Sequence, residues 1–460
     1  MKITVLSARN VLRNPRRSLA TVSAAALSAA AILLFGGFTA SVQKLLETAI
    51  VRACGHMQIY ARGYYEFGGA GGDAPAISGY AEVLESLENS AGLKELATMV
   101  TPVQSVSGIA SNFKADASRV FRGLGVVPSE YTALDRWNSY NIQLYELDET
   151  PGVADSDLNG GIIGSGLARI LGLCAELGIK DCPARPQPAE PAGPKTDFSF
   201  LDSELVQSRA PDPRPRIDLI AATQHGAPNV VDFYINKAMT LGIKEQNDSF
   251  AGLHLSRAQE LLYGRGEKKA SGIIIQLKDT RDLARAKKIV AALLAATRPD
   301  LEALDYETLN PSYGQAIAML DTIFAFIAII MGIIVLFTVA NTMSMSVVER
   351  TAEIGTLRAL GLKQRHIIRM FLTEGVILGA AGATTGVALA FAAAWAINLS
   401  KIMWTPPTFA RPVMFSVHPA LFPLLAPLCW AGLVGLSALS AYLAARHAAK
   451  MKITDALRHV

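Results

Sequence analysis

Residues Asn341–Gly361, NTMSMSVVERTAEIGTLRALG, form the most informative stretch of this chain. It follows a strongly apolar run, Ile323–Val339, and a second apolar run, Val376–Leu399, comes after it. A short charged segment between two such runs is typical of a loop at a membrane surface. Charged and apolar side chains recur at helical spacing within it: Glu349, Arg350, Glu353 and Arg358, with Ile354, Leu357 and Leu360 between them. The pattern predicts a short amphipathic helix tethered at both ends to spanning helices.

The composition agrees with a membrane protein. The chain has 460 residues, of which 51% are hydrophobic and only 18% are charged, whereas soluble domains carry about 25% charged residues. Four apolar runs are long enough to span a hydrocarbon layer, which takes about 20 residues in a helix. We predict four transmembrane helices at Leu19–Ala40, Ala318–Met343, Val376–Leu399 and Leu421–Ala444.

The region between the first and second spans, residues 41–315, is polar enough to fold in water. It alternates β-rich stretches, such as Met99–Ala110 and Ala117–Val127, with helical patterns, which predicts a large α+β domain. The run PARPQPAEPAGP, Pro183–Pro194, cannot hold regular structure and lies in an insertion at about residues 174–215. The remaining predicted segments are an N-terminal amphipathic segment (1–18), a middle loop (344–372), a loop between the last two spans (400–420) and a tail (445–460).

Lysine and arginine beside the spans predict the orientation, because such residues accumulate in cytoplasmic loops. They are frequent before the first span, between the second and third, and after the fourth, whereas Ser400–His418 has only Lys401 and Arg411. Both termini are therefore predicted to be cytoplasmic and the α+β domain periplasmic. The pair Arg16-Arg17 before an Ala-rich run could also belong to a cleaved signal peptide, but three further spans favour a first helix that is retained.

The cysteines suggest one disulfide. Cys174 and Cys182 lie eight positions apart in the predicted periplasmic domain, where an oxidising compartment favours pairing. The alternatives are two free thiols, or one of them paired with Cys54. Cys429 lies in the fourth span and is expected to be a small apolar residue.

Small residues are spaced four apart in the third span, as Gly375/Gly379 and Gly382/Gly386. This spacing lets membrane helices approach closely. Two uses of the close approach are compatible with the sequence: packing within one protomer and a seam between two protomers.

Three further segments resemble one known family, the four-helix permeases of the MacB, LolC/LolE and FtsX type. Before the first span, Ala8–Asn14 followed by Arg16-Arg17-Ser18 is similar to the family's N-terminal motif. Residues 341–361 closely resemble its signature after the second span, and residues 444–458 resemble its closing motif. Gly55–Ile59 and Ile163–Gly172 look closest to the lipoprotein-release (LolC/LolE) branch, from which the Cys174–Pro215 segment departs as an insertion.

The resemblance implies a permease subunit of an inner-membrane ABC transporter, driven by two copies of a separate cytoplasmic ATPase. It also implies a second permease (the same chain or a paralogue), contact with membrane lipid and, in some members, a periplasmic carrier or adaptor. ATP and Mg²⁺ would be bound by the partner, so no cofactor is expected here. The residues that the resemblance assigns to ATPase coupling are Glu349, Arg350, Glu353, Ile354, Leu357, Arg358, Leu360 and Gly361. Without the resemblance, the same segment could be an ordinary helix held by lipid headgroups.

Three functions are compatible with this sequence. The first is movement or extraction of lipoproteins, lipids or other amphiphiles; the second is FtsX-like regulation of cell-wall hydrolases without transport; the third is MacB-like efflux of drugs or peptides with an adaptor and an outer-membrane channel. The dipeptide Gly-Lys of a P-loop does not occur, so the chain is not expected to be an ATPase or another enzyme. The seven histidines are scattered and the net charge is only +4, so neither a metal site nor a nucleic-acid partner is expected.

Overall fold

The computed structural model describes residues 9, 13, 15–66, 74–142, 152–179, 182, 212–241, 244–264, 268–405 and 412–450. The chain divides into two compact units. The helical unit comprises Met1–Leu46, Pro311–Trp404 and Met414–Val460, and the mixed unit comprises Glu47–Asn310 with Thr405–Val413.

The α-helices of the described residues are, in chain order, α1 (Pro15–Cys54), α2 (Tyr80–Glu88), α3 (Ala91–Leu96), α4 (Pro128–Asp135), α5 (Ser165–Ile170), α6 (Lys244–Asn247), α7 (Leu255–Tyr263), α8 (Leu283–Thr297), α9 (Tyr306–Leu309), α10 (Pro311–Glu349), α11 (Thr351–Ala359), α12 (Gln364–Ser400) and α13 (Leu425–Lys450). The strands are β1 (Met57–Ala61), β2 (Ile77–Ser78), β3 (Ala97–Asn112), β4 (Ala117–Val126), β5 (Gly160–Gly164), β6 (Arg216–Ala222), β7 (Pro228–Met239), β8 (Phe250–His254), β9 (Lys269–Ala270), β10 (Gly272–Leu277), β11 (Leu301–Asp305), β12 (Met403–Trp404) and β13 (Val413–Met414).

Four helices of the described chain, α1, α10, α12 and α13, are long and apolar enough to cross a membrane. The first three extend beyond the predicted spans at both ends, because hydropathy marks only the apolar part of a helix whose backbone hydrogen bonds continue into polar sequence. The fourth, predicted from Leu421, begins only at Leu425, after a 3-10 turn at Pro419–Leu421, and continues to Lys450. The difference is largest around the predicted middle loop, residues 344–372. There α10 continues to Glu349 and α12 already begins at Gln364, so the separate helix α11 has only nine residues.

The glycines of α12 face two neighbouring helices of the same chain. A Cβ atom built on Gly375 would lie 2.4 Å from the Cβ of Ala441 in α13, and one on Gly379 would lie 2.6 Å from Ser437. On Gly382 it would lie 2.5 Å from the Cβ of Ala25 in α1, and on Gly386 it would lie 2.4 Å from the carbonyl oxygen of Ala26. These four glycines therefore serve packing within one protomer, and the alternative of a seam between protomers is not needed to explain them.

The mixed unit is built on a nine-stranded sheet with the order β11-β1-β10-β3-β4-β8-β5-β7-β6, in which β6 also pairs with β3. The last six strands therefore form a closed ring. Two strand pairs in the ring, β4–β8 and β5–β7, are parallel, and the others are antiparallel. The long strand β3 joins the ring to the rest of the sheet, because Ala97–Val103 pair with β10 and Gln104–Asn112 pair with β4.

The ring encloses a buried apolar core that includes Phe121, Ile163, Phe233 and Leu253. Gly108 in β3 is required by the closure: a Cβ atom there would lie 2.0 Å from the carbonyl oxygen of Ile220 in β6. A side chain at this position would push the two strands apart, so glycine permits the β3–β6 pairing.

His56 is a buried structural residue at the start of β1. Its Nδ1 accepts a hydrogen bond from the backbone N–H of Leu277 at 3.1 Å, its Nε2 lies 3.1 Å from the hydroxyl of Thr280, and its ring packs edge-on against Trp137. Burial lowers the pKa of His56 to about 4. The imidazole is therefore neutral at neutral pH, which leaves Nδ1 able to accept.

Cys174 and Cys182 are joined by a disulfide, with their Cα atoms 6.3 Å apart. Cys54 has a free thiol that donates to the carbonyl of Ile50, so the alternative pairing with Cys54 does not occur. The Pro-rich run of the insertion lies outside the described residues. The described chain resumes at residue 212, and Arg214 forms ion pairs with Asp212 and Asp157. The pair with Asp157 connects the end of the insertion to the turn before β5.

A test of the glycine packing compares two matched substitutions. Gly386→Ala places a methyl group against the backbone of α1, and such overpacking destabilises by about 1–3 kcal/mol. Gly435→Ala in α13 is the control, since a Cβ atom there meets nothing within 4 Å among the described residues. We expect Gly386→Ala to lower the thermal midpoint of the full-length protein in detergent and Gly435→Ala to leave it unchanged. Equal midpoints for the two variants would contradict the packing of α12 against α1.

Candidate functional site

The functional candidate is the break between α10 and α11. Arg350 has φ −109° and ψ 17°, outside the helical region, and separates Glu349 from Thr351. The hydroxyl of Thr351 lies within hydrogen-bond distance of the carbonyls of Val347 and Val348, at 3.1 and 2.9 Å. A threonine hydroxyl bonded in this way competes with the backbone ladder and bends a helix. The local sequence therefore favours a bend at this position.

The other end of α11 is a glycine cap. Gly361 has φ +94°, its N–H donates to the carbonyl of Arg358, and the N–H of Leu362 donates to the carbonyl of Leu357. This is the Schellman arrangement, in which glycine adopts the left-handed conformation at little steric cost. The cap ends α11 and leaves Leu360 79% exposed and Leu362 41% exposed at its tip.

The acidic side chain before the break is paired with the first helix. The guanidinium of Arg17 in α1 holds the carboxylate of Glu349 through both of its terminal nitrogens, one of them at 2.8 Å. One turn later, Arg13 lies 3.2 Å from Glu353. The Arg13 pair is largely exposed, and such pairs contribute about 0–1 kcal/mol. The two-pronged Arg17 pair is only about one-third exposed and fixes the geometry more firmly.

The basic side chain at the break is paired with the third long helix. Arg350 lies 3.5 Å from the carboxylate of Glu374 in α12, and both side chains are almost fully buried. Removing one partner of a buried ion pair typically costs about 3–5 kcal/mol, because the remaining charge is left uncompensated. The Arg350–Glu374 pair therefore strongly constrains where the break can lie relative to α12.

The predicted coupling residues differ in how accessible they are in the structure. Ile354 is 4% exposed and packs in the core of the helical unit. Glu349, Arg350 and Glu353 are paired within the chain, as described above. Leu357 and Arg358 are half-buried, and only Leu360 and Gly361 of the eight predicted residues are exposed without such a pairing. The surface available for docking is therefore the tip of α11, smaller than the sequence indicated.

Three residues of this site were not recognised in the sequence as members of it. Arg13 and Arg17 indicate the orientation of the first span and belong to the N-terminal motif, but their sequence positions do not reveal that they pair with the break. Glu374 lies just before the predicted third span, and an acid within a membrane helix signals a partner. Because α12 begins at Gln364, that signal was present but fell outside the expected span.

The family model described as FtsX-like permease C-terminal matches residues 325–453. This region contains the break, α11, α12 and the whole of α13.

Three relatives are also similar to this chain. The macrolide export ATP-binding/permease protein MacB of Chromobacterium violaceum is 31% identical over 236 residues, which are 48% of this chain and 33% of that protein. The pyoverdine export ATP-binding/permease protein PvdT of Pseudomonas syringae pv. tomato is 34% identical over 38% of this chain and 26% of that protein. The lipoprotein-releasing system transmembrane protein LolC of Neisseria meningitidis is 25% identical over 38% of this chain and 41% of that protein. The matched segments span less than half the length of each of these relatives.

Proposed function

We propose that this chain, whose residues 325–453 match the FtsX-like permease C-terminal family, is an ABC transporter permease of the MacB/LolC type that transmits motion made by a separate ATPase subunit. In this proposal the break and both termini are cytoplasmic, the mixed unit is periplasmic, and the membrane is the bacterial inner membrane. Two ATPase copies and a second permease complete the complex. The chain itself would bind neither ATP nor Mg²⁺.

The exposed tip of α11 is the observation that supports docking of an ATPase. Leu360 is 79% exposed although it directly follows a helix in which Ile354 is buried and Leu357 is half-buried. Burial of one leucine side chain contributes about 1.5–3 kcal/mol. Because the cap and the ion pairs hold α11 in place, its exposed apolar tip is suited to insert into a pocket of a soluble subunit.

The glutamates are poor positions for testing this docking. Reversing Glu349 and Glu353 would place new positive charges beside Arg17 and Arg13. A loss of coupling in that double variant could therefore come from the damaged break rather than from a lost ATPase contact.

The sharper test is Leu360→Asp, with Leu158→Asp as the control at a half-exposed leucine in the mixed unit. We expect tagged Leu360→Asp, purified from native membranes, to lose at least about tenfold of its associated nucleotide-binding subunit, from the leucine contact alone. The control should retain that subunit, as quantified by mass spectrometry. Equal recovery with both variants would contradict docking at the α11 tip.

For the cargo, we propose lipoproteins, lipids or other amphiphiles, which the mixed unit would bind through an exposed aliphatic strip. The strip consists of one outward-facing residue from each of four adjacent strands: Val120, Ile109, Ile220 and Val230, which are register partners in that order. Val120, Ile109 and Val230 are 63%, 45% and 54% exposed. With strands about 4.8 Å apart, the strip is about 14 Å long, which suits an extended acyl chain.

Two substitutions on one face of β4 test this cargo. Val120→Asp places a charge in the strip, and Ser118→Asp places the same charge two residues away on the same exposed face. We expect Val120→Asp to weaken binding of a fluorescent triacylated lipopeptide by about tenfold or more, since one aliphatic contact is lost. Ser118→Asp should bind nearly as the unmodified protein does. Unchanged binding by Val120→Asp would exclude the strip and would favour drug or peptide efflux, or hydrolase regulation without transport.

A further inference from the structure

Two adjacent residues at the break carry opposite charges and reach two different helices. Glu349 pairs with Arg17 of α1, and Arg350 pairs with Glu374 of α12. All four residues belong to the helical unit. The break therefore joins three long helices, α1, α10 and α12, through two ion pairs. The two pair members at the break, Glu349 and Arg350, are consecutive in sequence.

Helices α1 and α10 are tied at further points along their length. The hydroxyls of Thr21 and Thr342 lie 2.8 Å apart, and the amide of Gln43 donates to the carboxylate of Asp321 at 2.9 Å. The rings of Phe35 and Phe324 stack between these two contacts. The two helices thus form an antiparallel pair whose contacts begin at Arg17–Glu349.

Helix α12 is also held close to α1, through Gly382 and Gly386. The Arg350–Glu374 pair holds α12 to the break and close backbone contact holds it to α1, and packed interfaces resist continuous deformation. A displacement of α11 that preserved both pairs at the break would consequently displace α1, α10 and α12 together.

We propose that Arg17, Glu349, Arg350 and Glu374 are positioning residues that make the break a fixed junction, through which motion of α11 drives the three helices as one body. This inference rests on the proposed function, because it assumes that an ATPase moves α11. It adds that the first helix, distant in sequence, takes part in coupling. Arg17 and Glu349 would act through helix position and not through contact with the ATPase.

The test uses charge exchange in the purified complex in nanodiscs. The variants are Arg17→Glu, Glu349→Arg and the double variant. The double variant restores a pair of opposite charges, with the two charges exchanged between the positions. Arg285→Glu is the control, since it reverses one member of an exposed ion pair with Glu95 in the mixed unit. Three quantities are measured for each: the amount of ATPase subunit that copurifies, the thermal midpoint, and the ATP hydrolysis rate in the complex relative to the free ATPase subunit.

We expect each single reversal to retain the ATPase subunit but to lower the permease-dependent stimulation by about fivefold or more, the lower range of typical coupling between sites. The exchanged pair should recover most of that stimulation, and the control should keep it. A merely structural role would lower the thermal midpoint and the amount of complex without changing the stimulation of the complex that remains.

Two results would overturn the inference. One is normal stimulation in both single variants, and the other is an exchanged pair that recovers neither the midpoint nor the stimulation. Failure of the proposed function is distinguishable, because no nucleotide-binding subunit would then copurify even with the unmodified chain.

Discussion

The pairing of Arg350 with Glu374 is the constraint on which the rest of the helical unit depends. A buried guanidinium without its carboxylate would be costly, so the ion pair favours a position of the break between α10 and α11 against α12. Thr351 bends the chain just there, and the cap at Gly361 ends the following helix of nine residues. Local backbone chemistry sets the length of α11, and the buried pair sets its position.

Close packing of α12 complements that constraint. Its four glycines lie against α1 and α13, where any side chain would separate the helices, whereas the glycines at positions 432 and 435 of α13 meet open space among the described residues. Membrane helices gain little from the hydrophobic effect against lipid, so small residues and polar contacts determine which faces meet. Glycine contacts and ion pairs together explain how four apolar helices adopt one arrangement.

The sequence was sufficient for the apolar spans, for the charged segment between them, for much of the helix and strand order of the mixed unit, and for the family resemblance, which the comparisons confirm. It was insufficient for features that depend on distant residues. Arg17 and Glu349 are separated by 332 positions, and β3 pairs with β6 more than 100 residues away, so no local period reveals either contact. Ile354 fits the apolar face of an amphipathic helix equally well whether that face meets a partner or the chain's own core. Its burial could be learned only from the structure.

The account depends most directly on the side of the membrane that the break faces. A single cysteine at Ala352, exposed on α11, can be introduced into a chain in which Cys54 and Cys429 are replaced by serine. Spheroplasts are then treated with a membrane-impermeant maleimide, with a cysteine at Leu158 of the mixed unit as the reference. The account predicts that the cysteine at position 352 reacts only after the cells are opened, whereas the one at 158 reacts in intact spheroplasts. Reaction at position 352 in intact spheroplasts would contradict it.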